Sequence, residues 1–315
     1  MNILIYGIGG VGGYFGAKLA ITKHHITFIA RGAHLEAIKK NGITVKSILG
    51  DFHSRPGLAT DDLKKIPAPD LVIFGVKSWQ LAEAAKNLKP YVKSETIFLP
   101  LQNGVKNSEI LMEFFPQNQI LGGLCNLISF IESPGVIRHS AFNPGITFGE
   151  LNNIKTSRIQ MISDLFEEAG IKHLIADDIH REIWKKFLFI CTISGLGGLT
   201  RVPIGAMRES EYLYEMMQKT AHEIVLLAQA KGINLDQNDV SRVFRIINDQ
   251  DPESTASTQR DLMEGRPSEL ETFNGYVVQE ARKENIAVPV NTLIYECLLP
   301  MEKRARKISA VKNRK

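Results

Sequence analysis

The stretch NILIYGIGGVGGYFG (Asn2–Gly16) opens the chain, and its reading decides the fold. Asn2–Tyr6 is rich in isoleucine and leucine and reads as a short buried strand. Gly7, Gly9 and Gly12 follow at G-x-G-x-x-G spacing, and a helical pattern runs from Gly10 to Ile21. Each glycine has its own physical reason. The first permits a tight turn, the second lets backbone approach a diphosphate, and the third allows close packing of helix on strand. Amides at the helix start then face the phosphates. Such a triplet alone is weak evidence, but between a first strand and a first helix it is strong. Gly7, Ile8, Gly9, Gly10, Val11 and Gly12 are therefore candidate dinucleotide-binding residues.

Outward from this loop, ITFIA (26–30) reads as a second strand that ends at Arg31. Enzymes that use NAD usually carry an acid there for the ribose hydroxyls; FIARGAH offers a permanent cation instead. A guanidinium matches a 2′-phosphate in charge and in bidentate geometry, so NADP(H) is the expected cofactor. DLVIFGV (70–76) and TIFLPL (96–101) read as further buried strands, with a helix Trp79–Leu88 between them. ITVKSI and DFHSR, flanking Gly50-Asp51, read as a hairpin. ILGGLCNLISF and GVIRHSA are expected to extend the sheet, with ITFGE (146–150) as its last strand.

From about Ile154 helical periodicity dominates, over 155–169, 179–196, 209–231, 239–249, 254–264, 269–285 and 291–306. The expected fold class is α/β: an N-terminal Rossmann-type doubly wound sheet domain followed by an all-α C-terminal domain. The boundary is expected near ADD (176–178), giving an NADP-binding domain 1–176 and a helical substrate domain 177–315.

Composition narrows the class. Hydrophobic residues make up 44% and charged residues 23%, ordinary for a globular protein of 315 residues. The formal charge of +4 has a local origin, since EKRARKISAVKNRK (302–315) holds seven basic residues and one acid. Such a cluster reads as a solvated basic tail rather than a nucleic-acid surface. Cys125, Cys191 and Cys297 are widely spaced, which fits a reducing cytoplasm and no disulfide framework. The histidines show no metal-site spacing, and the apolar run Phe187–Leu199 is too short to span a bilayer. The chain reads as soluble and cytoplasmic, with neither nucleic acid nor membrane as partner; its oligomeric state stays open, a homodimer included.

Six segments together are more specific than the glycines. The glycine motif, Arg31, VKSWQ (76–80), LQNG (101–104), REIWKKF (181–187) and ELETFNGYVVQEARKENIAVPVN (269–291) span nearly the whole chain. In these segments the sequence resembles the ketopantoate reductase (2-dehydropantoate 2-reductase) family. The resemblance implies an NADPH-dependent reduction of a 2-oxo acid, ketopantoate to pantoate, in pantothenate biosynthesis. It further implies that Lys77 meets the cofactor, that Asn103 touches cofactor and substrate, and that Ile128 lends backbone near the nicotinamide. Lys186 matches the family's general acid, and Glu269 the acid that orients substrate and cofactor. Ser257 matches the hydroxyl that binds the substrate carboxylate. Serine and glutamate near helix starts can also be simple caps, so Ser257 and Glu269 carry that second reading.

Lys185 and Lys186 are adjacent and cannot share an environment, because neighbouring helical residues point about 100° apart. Lys186 falls on the apolar face with Ile190, Ile193 and Gly197, whereas Lys185 falls with Arg181 and Phe189. A desolvated lysine releases its proton more readily, which suits a general acid near neutral pH. The family pattern breaks in its substrate shell. Ile190, Ser194, Ile204 and Ser254 stand where the family carries asparagines. The resemblance therefore supports the reaction class more firmly than ketopantoate itself. Another branched or apolar 2-oxo acid is the first alternative. A non-catalytic NADPH-binding regulator is a more distant one, as is a dehydrogenase for 3-hydroxy acids or sugar phosphates.

Overall fold

Strands buried on both faces call for a parallel sheet covered by helices, and the first unit of the chain has one. The computed structural model describes residues 1–312, with side chains through Ser309, and divides the chain into two units, Met1–His180 and Arg181–Lys315. The last three residues of the basic segment lie outside the described residues.

The strands of the first unit are β1 (Asn2–Tyr6), β2 (His25–Ile29), β3 (Ile43–Ser47), β4 (Phe52–Ser54), β5 (Leu58–Thr60), β6 (Leu71–Phe74), β7 (Ile97–Pro100), β8 (Leu121–Ser133), β9 (Val136–Glu150) and β10 (Lys172–Ile175). Its helices are α1 (Gly10–Leu19), α2 (Gly32–Asn41), α3 (Leu81–Leu88), α4 (Asn107–Met112) and α5 (Ser157–Glu168). One sheet is wholly parallel, in the order β5-β2-β1-β6-β7. Ile3, Leu4 and Ile5 of β1 are all buried, each paired across to β2 and β6. The connection reverses at β1, which makes the C-terminal end of β1 the switch point where such sheets bind ligands.

The C-terminal strands of this unit do not extend that sheet. β8 and β9 form a long antiparallel hairpin in a second sheet, ordered β10-β9-β3-β4, where β9 pairs in parallel with both β3 and β10. Among the described residues, an isolated bridge between Phe98 and Ile120 joins the approach to β8 to the first sheet. ITFGE is the end of the fifteen-residue β9 rather than a separate strand. The hairpin of ITVKSI with DFHSR forms as expected, but within this second sheet.

Helix α1 carries four glycines among ten residues, although glycine weakens a helix interior by about 0.5–1 kcal/mol relative to alanine. Packing explains them. A Cβ on Gly12 would sit 2.0 Å from the Gly7 carbonyl oxygen, and one on Gly16 would sit 2.9 Å from the Phe28 ring of the first sheet. On the other face a Cβ on Gly13 would meet Ile137 of β9 at 2.6 Å. The helix is pressed between the two sheets, and only bare backbone fits.

The second unit is helical. α6 (Ile179–Thr200) starts at the unit boundary, followed by α7 (Ile204–Glu209), α8 (Glu211–Ala230), α9 (Gln237–Asp249), α10 (Ser257–Met263), α11 (Asn274–Lys283) and α12 (Pro289–Lys312). The expected 209–231 segment is α8, which starts at Glu211 because the Ser210 hydroxyl caps it by accepting from the Leu213 amide. The expected 269–285 helix is broken, with a 3-10 turn at Leu270–Thr272 before α11. Trp184, Phe187, Phe273 and Tyr276 form an edge-to-face aromatic cluster in its core. The solvated-tail reading of 302–315 is corrected in part: α12 continues to Lys312 and buries Glu302 and Ala305, while Lys303, Arg304 and Lys307 are exposed. Among the described residues, no helix is long and apolar enough to cross a membrane.

Candidate active site

In the first unit the candidate residues share one topological address. The glycine loop follows β1, Arg31 follows β2, Lys77 follows β6 and Asn103 follows β7. These are the C-terminal ends of four adjacent parallel strands.

The three motif glycines divide their work as the sequence implies. Gly7 has φ +99°, and its Cβ would strike Val76 at 2.6 Å. Gly12 admits only bare backbone against Gly7. A Cβ on Gly9 would meet nothing closer than the Gly75 carbonyl at 3.8 Å, so Gly9 leaves an open face. Helix α1 has no side-chain cap and no acid in its first turn. Its leading amides are available to an anion, and the diphosphate of a dinucleotide fits this cradle.

Ile8 is buried, and Val11 packs against the core of this unit. Arg31 is exposed at the end of β2, and its guanidinium bears on the Tyr6 phenol. Burial pushes that phenol up, and the Arg31 charge opposes the shift. Lys77 is exposed, with its ammonium 5.6 Å from the centre of the Trp79 ring. Asn103 is half-buried, in a loop where Gly104 takes φ +102°. Asn107 staples that loop, its amide donating to the carbonyls of Gln102 (2.9 Å) and Gly104 (3.3 Å).

Ile128 lies where β8 slips register, with irregularities on either side of it. Bulges of this kind re-aim side chains beside active sites. The residue after it was missed by sequence reasoning. Ser129 presses on the glycine loop: a Cβ on Gly10 would sit 2.1 Å from the Ser129 carbonyl oxygen and 2.7 Å from its Oγ. That hydroxyl is buried with no hydrogen-bond partner among the described residues. The only available sequence signal was its place next to Ile128.

In the second unit α6 carries three candidates. Lys186 and Ile190 are half-buried, and Ser194 is fully buried, its hydroxyl without a partner among the described residues. Lys185 is half-buried too, so burial does not separate the pair; its ammonium binds Glu182 at 2.6 Å on the same helix. Glu269 is buried, 4% exposed, and precedes the 3-10 turn without making a side-chain cap. Burial pushes the thiol of Cys191 on α6 well up, and the Glu269 carboxylate adds to that shift. Glu269 therefore bears on the helix that carries Lys186.

Ser257 is the exposed first residue of α10. It is not the cap: that position is Ala256, whose amide donates to the Gln259 side chain at 3.4 Å. Its neighbour Thr258 is buried with an unpartnered hydroxyl and was also missed. Ile204 and Ser254, two of the departures from the family pattern, meet through backbone, the Ile204 amide donating to the Ser254 carbonyl at 3.0 Å.

The sequence profile described as "Ketopantoate reductase PanE/ApbA" matches residues 3–153, and its C-terminal companion matches 178–302. The chain belongs to the ketopantoate reductase family. A 2-dehydropantoate 2-reductase of Nostoc sp. is 30% identical over 307 residues, covering 96% of this chain and 95% of the relative. An uncharacterized oxidoreductase, YkpB of Bacillus subtilis, is 29% identical over 295 residues, covering 94% and 97%. The crystal structure of a family member from Ralstonia eutropha JMP134 superposes with TM-score 0.89 at 27% identity, over 97% of this chain and 100% of the other. A D-mandelate dehydrogenase solved with NADH and anilino(oxo)acetate shares the fold, with TM-score 0.87 at 21% identity over 97% and 100%. Family membership makes the chain an oxidoreductase that works with a nicotinamide dinucleotide.

Proposed function

We propose that the chain reduces 2-dehydropantoate to pantoate with NADPH, in the cytoplasm. When bound, the dinucleotide supplies the hydride. The first unit's residues hold it: the amides of α1 and the open Gly9 face take the diphosphate, and Arg31 takes the 2′-phosphate. Lys77, Asn103 and the Ile128 backbone attend its nicotinamide end. Lys186 Nζ gives a proton to the ketone oxygen as negative charge develops there. Glu269 and Asn103 orient the ketone, and the Ser257 hydroxyl donates to the carboxylate. Ile190 and Ser194 face the side group of the substrate.

The observation that supports this most is Glu269, a buried carboxylate that caps nothing and bears on α6. Carboxylates are among the side chains least often fully buried, so a buried one marks a candidate functional position. The test is NADPH oxidation across a panel of 2-oxo acids. Turnover of ketopantoate or a close analogue is expected. Tight NADPH binding with no turnover on any member of the panel would favour the non-catalytic regulator. A second reading has its own support. Ile190 offers no hydrogen bond to the ketopantoate hydroxyl, which favours a branched or apolar 2-oxo acid without it.

A further inference from the structure

The single acid in the basic C-terminal segment is Glu302, and it is one of the most deeply buried charges in the chain, 1% exposed. Its carboxylate accepts from the Ser268 amide, at 3.0 Å to Oε2 and 3.2 Å to Oε1, and from the Ser268 hydroxyl at 2.5 Å. Arg306, one turn on, brings Nε to 2.6 Å from Glu302 Oε1, close as an ion pair but not aligned as a hydrogen bond. Its Nη2 donates to the Ser268 carbonyl at 3.0 Å. Both backbone polar groups of Ser268 and its hydroxyl are thus tied to α12.

Ser268 immediately precedes Glu269. The Ser268 hydroxyl also accepts from the Leu270 amide at 3.3 Å, reaching across Glu269 to the residue beyond. The Glu269 carbonyl accepts from the Thr272 amide (3.1 Å), the Thr272 hydroxyl (3.0 Å) and the Phe273 amide (3.0 Å). Glu269 itself sits at φ −92°, ψ +19°, with hydrogen bonds to the backbone on both sides of it. Such a buried acid needs its partners, because an uncompensated buried charge is strongly destabilising.

The geometry points to Glu302, with Arg306, as a positioning residue that fixes Glu269 through Ser268. This rests on the proposed role of Glu269 and deepens it. The link runs entirely through hydrogen bonds to the residue next to the acid, so it acts on where the Glu269 carboxylate points and not on the chemistry directly. Small displacements of a positioned group are expensive: about 1 Å of misplacement can reduce rate a hundredfold.

The test compares the full-length wild type with Glu302→Gln, Arg306→Lys, Arg306→Met and Glu269→Gln. Glu280→Gln serves as control, breaking the ion pairs of the buried Glu280 with Lys231 and Lys283 in the same unit. Two readouts are taken, amide hydrogen exchange at Leu270–Phe273 and the separate kcat and KM for the best 2-oxo acid. Glu302→Gln and Arg306→Met should speed exchange at those amides and lower kcat by about ten- to a hundredfold. Arg306→Lys should restore most of the rate, and Glu280→Gln should lower thermal stability without a matching loss of kcat. Arg306→Met, at a half-buried surface position, keeps the comparison available should Glu302→Gln fold poorly. Unchanged exchange in Arg306→Met would overturn the clamp. Faster exchange with unchanged kcat, while Glu269→Gln is impaired, would overturn the positioning role alone. A fully active Glu269→Gln would instead remove the role assigned to Glu269, and the positioning inference with it.

Discussion

The two units place their candidate residues by different physics. In the first, the glycine loop, Arg31, Lys77 and Asn103 each follow the C-terminal end of a parallel strand, so one topological rule sets all four. In the second, Lys186, Ser257 and Glu269 sit on two helices and an irregular turn, with no such rule in common. A sheet edge is shared geometry: losing one residue leaves the others in place. Helix-borne positions are set one at a time, and they can change one at a time. The positions expected from the resemblance to depart from the family pattern, Ile190, Ser194, Ile204 and Ser254, all fall in the helical unit. On the proposed function, cofactor binding falls to the more constrained unit and substrate choice to the freer one.

The sharpest way to test that division is at the adjacent lysines. Lys186→Ala should lower kcat by about 10²–10⁴-fold, the usual contribution of a general acid. Lys185→Ala should leave kcat near wild type, because its ammonium is engaged by Glu182 on its own helix in a half-buried pair. Steady-state rates of both variants on one 2-oxo acid decide it. A reversed result would move the acid by one residue and with it the whole face assigned to substrate.

The next effect belongs to the first unit. Arg31→Ala should weaken NADPH by roughly 10- to 150-fold, from the loss of charged hydrogen bonds worth about 1.5–3 kcal/mol. NADH affinity should hardly move. Equal affinity of the wild type for both dinucleotides, measured by quenching of their fluorescence, would sink the 2′-phosphate role.

Much of this was legible in the chain. The glycine spacing after a buried strand predicted the first sheet's centre, because periodicity and turn chemistry agree there. Other features were not. β5 is only Leu-Ala-Thr, too short for any alternation to show. The β8–β9 hairpin was expected to extend the first sheet, since local pattern does not say which sheet a strand joins. The C-terminal segment misled most, because net charge averages over its members and hides the one acid that is buried. Ser129 and Thr258 were invisible for a related reason: a lone hydroxyl has no pattern until its missing partner is seen.

Substrate choice is the third test. Ile190→Asn supplies a hydrogen-bonding group one turn beyond Lys186, at a half-buried position. Relative to the wild type it should raise kcat/KM for ketopantoate over its deoxy analogue by about 5- to 150-fold, corresponding to about 1–3 kcal/mol for pairing one buried hydroxyl. If the wild type already prefers ketopantoate over the deoxy compound, the helical unit supplies that bond from elsewhere. The Ser194 hydroxyl, buried and unpartnered, is then the first position to mutate.

The smallest effect also tests the comparison most strictly, because one change should act with opposite signs on stability and on binding. Ser129 Oγ lies against Gly10 at the start of α1, buried and without a partner. An orphaned buried hydroxyl of this kind is a burden of about 1–3 kcal/mol on the ligand-free fold. Ser129→Ala should therefore raise the unfolding midpoint of the free protein, by roughly 2–4 °C for each kcal/mol recovered. If the hydroxyl donates to the bound dinucleotide, the same variant should weaken NADPH by about 2- to 13-fold, the range for a neutral hydrogen bond of about 0.5–1.5 kcal/mol. NADH should be weakened equally, since the bond would lie on the part common to both. That equality separates Ser129 from Arg31, whose loss discriminates between them. A rise in midpoint with unchanged affinity would mean that the hydroxyl faces packing alone. A drop in affinity confined to NADPH would place it near the 2′-phosphate, away from the start of α1.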